Sequence, residues 1–209
     1  MPITSLRDAL PAYAADQKHN LITLVEEQVL SEQQKWGCLL ACAYSTGSAP
    51  LIRAVEEDAA THLSPAARTA AKSAATLMAM NTVYYSAVNQ LRNTDYRGRP
   101  PQLSMTALSQ SDVDKIDFEL WALAVSAVRQ CSVCLNVHEA ELHKRNVTLE
   151  RVHAALRIAS VITAVATALE LNHTAALLHD DIRDAVRARR GRPSPHARHG
   201  VGFTLVIGD

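Results

Sequence analysis

Asp117-Phe118-Glu119-Leu120-Trp121-Ala122-Leu123-Ala124-Val125-Ser126-Ala127-Val128-Arg129, followed after one residue by Cys131-Ser132-Val133-Cys134-Leu135-Asn136-Val137-His138-Glu139, is the stretch on which the fold of this chain turns. Its first half carries apolar residues all round at helical spacing: Phe118, Leu120, Trp121, Leu123, Ala124, Val125, Ala127 and Val128. A helix without a polar face is a buried one. The second half predicts another helix, beginning near Cys131 and running to about Lys144. Together they make a helical hairpin with a Cys-Xaa-Xaa-Cys pair at the start of its second arm.

Helical periodicity extends outward from this hairpin in both directions. Ile3, Leu6 and Leu10 recur at three- and four-residue steps, and Pro11 then breaks the turn and is placed to open the next helix. Ser31 precedes Gln34 by three residues, the spacing of a capping box, ahead of Trp36, Leu39, Leu40 and Ala43. Gly47 and Pro50 mark the end of that helix. Ser64-Pro65 reads as an N-cap with proline at the first helical position, opening an alanine-rich helix to about Leu91. Asn93 to Gln110 is turn-rich, with Gly98, Pro100 and Pro101. Thr148 is the expected N-cap of a last long helix through Val152, Ala155, Ile158, Val161, Ile162, Val165 and Leu169. After His179 the composition shifts to Arg183, Arg187, Arg189, Arg190 and Arg192, then Pro193 and Pro195. The expected organisation is a helical domain over 1–179 and a basic, flexible C-terminal tail over 180–209. Phe203-Thr204-Leu205-Val206-Ile207 is a candidate strand on composition, too short to decide.

Composition agrees with an all-α fold. The 209 residues are only 4% aromatic and rich in alanine, a mixture suited to closely packed helices. Lysine plus arginine and aspartate plus glutamate number 21 each. A neutral chain offers no electrostatic reason to expect nucleic acid or an anionic membrane surface as its main partner. Met1-Pro2-Ile3-Thr4-Ser5 lacks the basic and apolar regions of a secretory signal, and no stretch approaches roughly 20 uninterrupted apolar residues. The expectation is a cytoplasmic protein, with neither membrane nor nucleic acid among its partners. In a reducing compartment a close cysteine pair is more often catalytic or metal-binding than structural.

Cys134 and His138 are four residues apart and share a helix face, with Cys131 one turn before Cys134. Both thiols fall in the first turn, where unpaired backbone N–H groups and the helix dipole favour a thiolate. His138 is then placed as a base towards Cys134. Glu119, on the preceding helix, is a carboxylate in apolar surroundings and needs a partner. A hairpin would return it to His138. Peroxide chemistry uses such a set: a thiolate attacks the O–O bond, and a second thiol condenses with the sulfenic acid before over-oxidation. Other readings of the cysteines stay open. Haem attachment requires histidine directly after the second cysteine, where Leu135 stands. A zinc site needs a fourth ligand beyond Cys131, Cys134 and His138, either Glu119 or another histidine. A thioredoxin-like site needs a preceding strand, and two plain core cysteines need nothing. Cys38 and Cys42, four apart, read as small buried thiols. The arginine run reads as a solvated tail before a nucleic-acid site.

The sequence resembles the AhpD family of alkylhydroperoxidases, within the carboxymuconolactone-decarboxylase-like superfamily. The resemblance is carried by Leu6-Arg7-Asp8-Ala9-Leu10-Pro11-Ala12-Tyr13-Ala14, Leu30-Ser31-Glu32-Gln33-Gln34-Lys35-Trp36-Gly37, Met80-Asn81-Thr82-Val83-Tyr84-Tyr85 and Phe118-Glu119-Leu120-Trp121-Ala122. It continues through the cysteine motif and the last long helix, nearly to His179. It implies an all-helical homotrimer that reduces organic hydroperoxides and regenerates a partner peroxiredoxin, alkyl hydroperoxide reductase C. It implies no bound cofactor or metal, the electrons coming from a dihydrolipoyl group on a 2-oxo-acid dehydrogenase component. By the same resemblance Cys134 becomes the sulfenic acid, Cys131 resolves it to a disulfide, and Glu119 and His138 form the proton relay. An electron carrier with little peroxidase activity of its own is the alternative. The sequence departs from the pattern at Val133, where well-known relatives have histidine, and in the extension beyond Asp180.

Overall fold

A computed structural model describes residues 2–108, 111–189 and 191–208, so Ser109, Gln110 and Arg190 of the segments read above lie outside the described residues. The described chain is all-α, with one two-residue antiparallel ribbon. It divides into two units, 1–166 and 167–209.

The first unit opens with α1 (Ile3–Ala9), a 3-10 turn, and α2 (Ala15–Val25). Next comes α3 (Glu32–Thr46), begun by the anticipated capping box. The Gln34 amide donates to Ser31 Oγ at 3.2 Å, and the Ser31 amide donates to Gln34 Oε1 at 3.2 Å. Gly47 ends α3 in the left-handed region, φ 75°. Pro50 does not terminate anything: it lies in the first turn of α4 (Ala49–His62). Proline lacks the N–H that a first-turn residue has no use for, so it begins helices as readily as it follows them. Ser64 caps α5 (Pro65–Gln90), its Oγ accepting from Ala67 N–H at 3.1 Å. The segment after α5 is exposed from Leu91 to Pro100 and alternates with half-buried residues beyond, with 3-10 turns at Thr94–Gly98 and Thr106–Leu108.

At the centre lies α6 (Lys115–Val128), in which every residue from Asp117 to Ser126 is buried. It packs on α3, α5 and α7 (Ser132–Lys144). The α3–α6 contact is fixed by polar groups as well as by Trp121. Buried Asp117 accepts from the side-chain amides of Gln33 and Gln34 at 2.7 Å each, and Trp121 Nε1–H donates to the Gln34 carbonyl at 3.2 Å. Gly37 lets the helices close. A Cβ there would stand 2.0 Å from the Trp121 indole. Gly37→Ala is therefore expected to destabilise the protein by about 1–3 kcal/mol or more through overpacking, despite alanine's better helix propensity. Chemical denaturation of the two proteins measures this, and an unchanged or raised midpoint would contradict it.

The last long helix, α8 (Leu149–Arg183), follows Thr148 as expected. Within the first unit it buries Ala155, Ile158, Ile162 and Val165, one face at helical spacing. The Arg157 guanidinium pairs there with Glu27. By length and composition α8 is also long and apolar enough to cross a membrane, and 44% of its most apolar window is buried in the protein. The boundary expected at 179/180 falls inside this helix, because a change in charge composition does not itself stop helical hydrogen bonding.

The second unit holds the end of α8, a ribbon of β1 (Ala188–Arg189) and β2 (Arg192–Pro193) in register Ala188↔Pro193, and α9 (Pro195–His199) and α10 (Val201–Gly208), which pack on each other. The candidate strand at 203–207 is thus helical. Thr204 Oγ donates back to the Gly200 carbonyl at 2.9 Å, and a short apolar run fits either conformation. Arg183 is exposed and bonded to Asp180 and Asp184, each at 3.0 Å.

Candidate active site

Backbone geometry at the turn between α6 and α7 places the cysteines. Gln130 adopts φ 56°. Its N–H donates to the Ala127 carbonyl at 3.0 Å, and Cys131 N–H donates to the Ser126 carbonyl at 3.1 Å. These are the paired bonds of a Schellman motif, built on a glutamine where glycine is usual. Cys131 thus closes one helix and, as N-cap, begins the next: its Sγ accepts from Cys134 N–H at 3.2 Å. Arg129 braces the turn from outside by donating from Nε to Ser45 Oγ at 3.0 Å.

The two sulfurs form a disulfide pair with Cα atoms 5.3 Å apart. Both cysteines are buried, Cys131 fully and Cys134 to all but 5%, so Cys134 is the more exposed of the two. Along α7 the buried residues are Cys134, His138 and Leu142, a stripe at four-residue steps facing the core.

Glu119 and His138, on opposite arms of the hairpin, meet at 2.6 Å between Oε2 and Nδ1, both buried. Lys115, one turn earlier on α6, binds the other carboxylate oxygen at 2.8 Å. Burial pushes the Glu119 carboxyl up, and the hydrogen bonds from His138 and Lys115 outweigh it and hold the group below its ordinary value. An ionised Glu119 orients the ring through Nδ1 and leaves Nε2 as its other nitrogen. Nε2 lies 3.1 Å from Met78 Sδ on α5. A thioether is a weak acceptor with no hydrogen to give. His138 and Cys134 share a face, but the ring nitrogens contact Glu119 and Met78 and not a sulfur of the pair.

Lys115 and Met78 escaped the sequence reading. Lys115 was legible in principle, as the i,i+4 partner of Glu119; Met78 sits among alanines and carries no signal of its role. Cys38 and Cys42 are fully buried on α3, and desolvation pushes both thiols well up, so they are poor nucleophiles. Among the described residues no group of three or more histidine, cysteine, aspartate or glutamate side chains is arranged to hold a metal ion.

Residues 95–177, which hold the cysteine pair and the buried Glu119–His138 couple, match the model of the Carboxymuconolactone decarboxylase family. Among similar proteins is an alkyl hydroperoxide reductase AhpD of Hyphomonas neptunium, 46% identical over 169 residues, covering 81% of this chain and 94% of the relative. That of Azorhizobium caulinodans is 45% identical over 170 residues, with 81% and 94% covered. That of Brucella anthropi is 42% identical over 174 residues, with 83% and 99% covered. The chain belongs to the AhpD family.

Proposed function

We infer that this protein is an alkyl hydroperoxide reductase working through a dithiol–disulfide cycle at Cys131 and Cys134. The observation that carries the reading is the cysteine pair in the first turn of α7, with Cys134 the more accessible and the Glu119–His138 couple on the same buried face. The Cys134 thiolate attacks the outer oxygen of the hydroperoxide. The O–O bond breaks, the alkoxide takes a proton by way of His138 and leaves as the alcohol, and the sulfur keeps the hydroxyl as a sulfenic acid. Cys131 then attacks the Cys134 sulfur, forming the disulfide and expelling hydroxide, which leaves as water. The amide of Cys134, already directed at Cys131 Sγ, favours the thiolate this second step needs. Two electrons from a dihydrolipoyl dithiol reopen the disulfide by exchange, leaving a lipoyl disulfide. No bound cofactor is required.

The reduced pair also serves to regenerate a peroxiredoxin, alkyl hydroperoxide reductase C, the protein acting as a cytoplasmic homotrimer fed by a lipoylated 2-oxo-acid dehydrogenase component. Val133, in place of a histidine between the cysteines, favours a second reading in which the protein is mainly the peroxiredoxin's electron carrier. Cumene hydroperoxide consumption with dihydrolipoamide as sole reductant, run with and without that peroxiredoxin, separates the two. Turnover by this protein alone is the expected result. Turnover only with the peroxiredoxin establishes the carrier, and none under either condition overturns both.

A further inference from the structure

A pocket of about 190 Å3 that the mechanism above does not use reaches the cysteine motif at Val133. Val133, the residue between the cysteines, forms one wall. Tyr84, Tyr85 and Val88 near the end of α5 form another, and the guanidinium-bearing Arg97 and Arg99 also line it. The walls are aromatic and aliphatic while the cations come from an exposed segment, Arg92-Asn93-Thr94-Asp95-Tyr96-Arg97-Gly98-Arg99, in which basic residues outnumber the acid. Arg97 is held in place by donating to the Asn89 carbonyl at 2.9 Å. Among the described residues neither Arg97 nor Arg99 is in an ion pair. The volume falls below the roughly 300–1,000 Å3 of sites for drug-sized ligands, so the occupant is small.

We propose that this pocket selects the substrate: it takes the apolar tail of a short organic hydroperoxide that ends in a carboxylate, with the hydroperoxide directed past Val133 to Cys134 and the carboxylate held by Arg97 and Arg99. This rests on the peroxidase reading. A guanidinium matches a carboxylate in both charge and fork geometry. Valine at 133 suits an apolar tail, where a histidine would present polar nitrogens.

The test compares a linear hydroperoxy acid with its methyl ester. In the wild type the acid is expected to show a KM about tenfold below the ester's, a factor in line with charge-assisted hydrogen bonds at a partly exposed site. The preference should shrink as salt is raised. In Arg97→Gln/Arg99→Gln the acid-to-ester ratio should fall to within about twofold of unity. Titration calorimetry with the product alcohols, acid against ester, makes the same comparison on the oxidised protein without turnover. A protein that reduces hydroperoxides but shows no acid preference, or whose preference survives the double substitution, overturns the pocket's role. One that binds the hydroxy acid selectively through the arginines but reduces no hydroperoxide upholds the pocket and overturns the peroxidase reading instead.

Discussion

Cys134→Ser is expected to lose alkyl hydroperoxide turnover by about 10³-fold or more in kcat/KM, the scale seen when a covalent nucleophile is removed. Serine fits the space with an oxygen in place of sulfur, and its hydroxyl neither ionises near neutral pH nor attacks an O–O bond. Cys131 cannot substitute efficiently, because it is fully buried and turned into the cap of α7. Cys38 and Cys42 cannot either, being buried with their thiols held protonated. Peroxide consumption by the reduced proteins, with circular dichroism to show that α7 persists, makes the comparison. Activity within a few-fold of wild type in a folded Cys134→Ser protein would contradict the assignment.

Glu119→Gln is expected to lower kcat by about 10²-fold, the low end of what a positioned acid–base group contributes. The amide keeps the shape but removes the charge that fixes His138 from Nδ1 at 2.6 Å and that Lys115 balances at 2.8 Å. The effect should also depend on pH with a definite sign. The Glu119 carboxyl is held below its ordinary value of 4.5. Its contribution to stability is therefore fully present above that ordinary value and fades as pH falls through the lower folded value. The stability gap between wild type and Glu119→Gln should thus be wide at neutral pH and close in acid. Denaturation midpoints at neutral pH and below pH 4.5 measure it. A gap that widens in acid would show that the carboxyl is not the ionised partner of His138.

Much of this was legible in the residues. The capping box at Ser31 and Gln34, the Ser64-Pro65 start of α5 and the apolar α6 each rest on local chemistry that tertiary context did not override. The meeting of Glu119 and His138 follows from two facts visible in sequence: a carboxylate within the apolar run of a buried helix, and a histidine one turn beyond the second cysteine. What escaped was either ambiguous or non-local. Pro50 signals both a stop and a start, and reading it as a stop hid α4. Gln130 takes the left-handed turn that glycine usually marks, at a cost the hairpin packing offsets, so only the cysteine motif betrayed where α6 ends. Met78 reaches His138 from α5, a contact across 60 residues of chain that no spacing rule encodes. Gly37 shows its importance only once Trp121 is set against it.

On the function proposed above, Cys134 takes the peroxide oxygen and Cys131 resolves it. This assignment is tested most directly by treating reduced Cys131→Ser with one equivalent of cumene hydroperoxide in the presence of dimedone and locating the adduct by peptide mass spectrometry. A dimedone adduct on Cys134, formed with one equivalent of alcohol, is the predicted result. No adduct, with the peroxide left unconsumed, would contradict it.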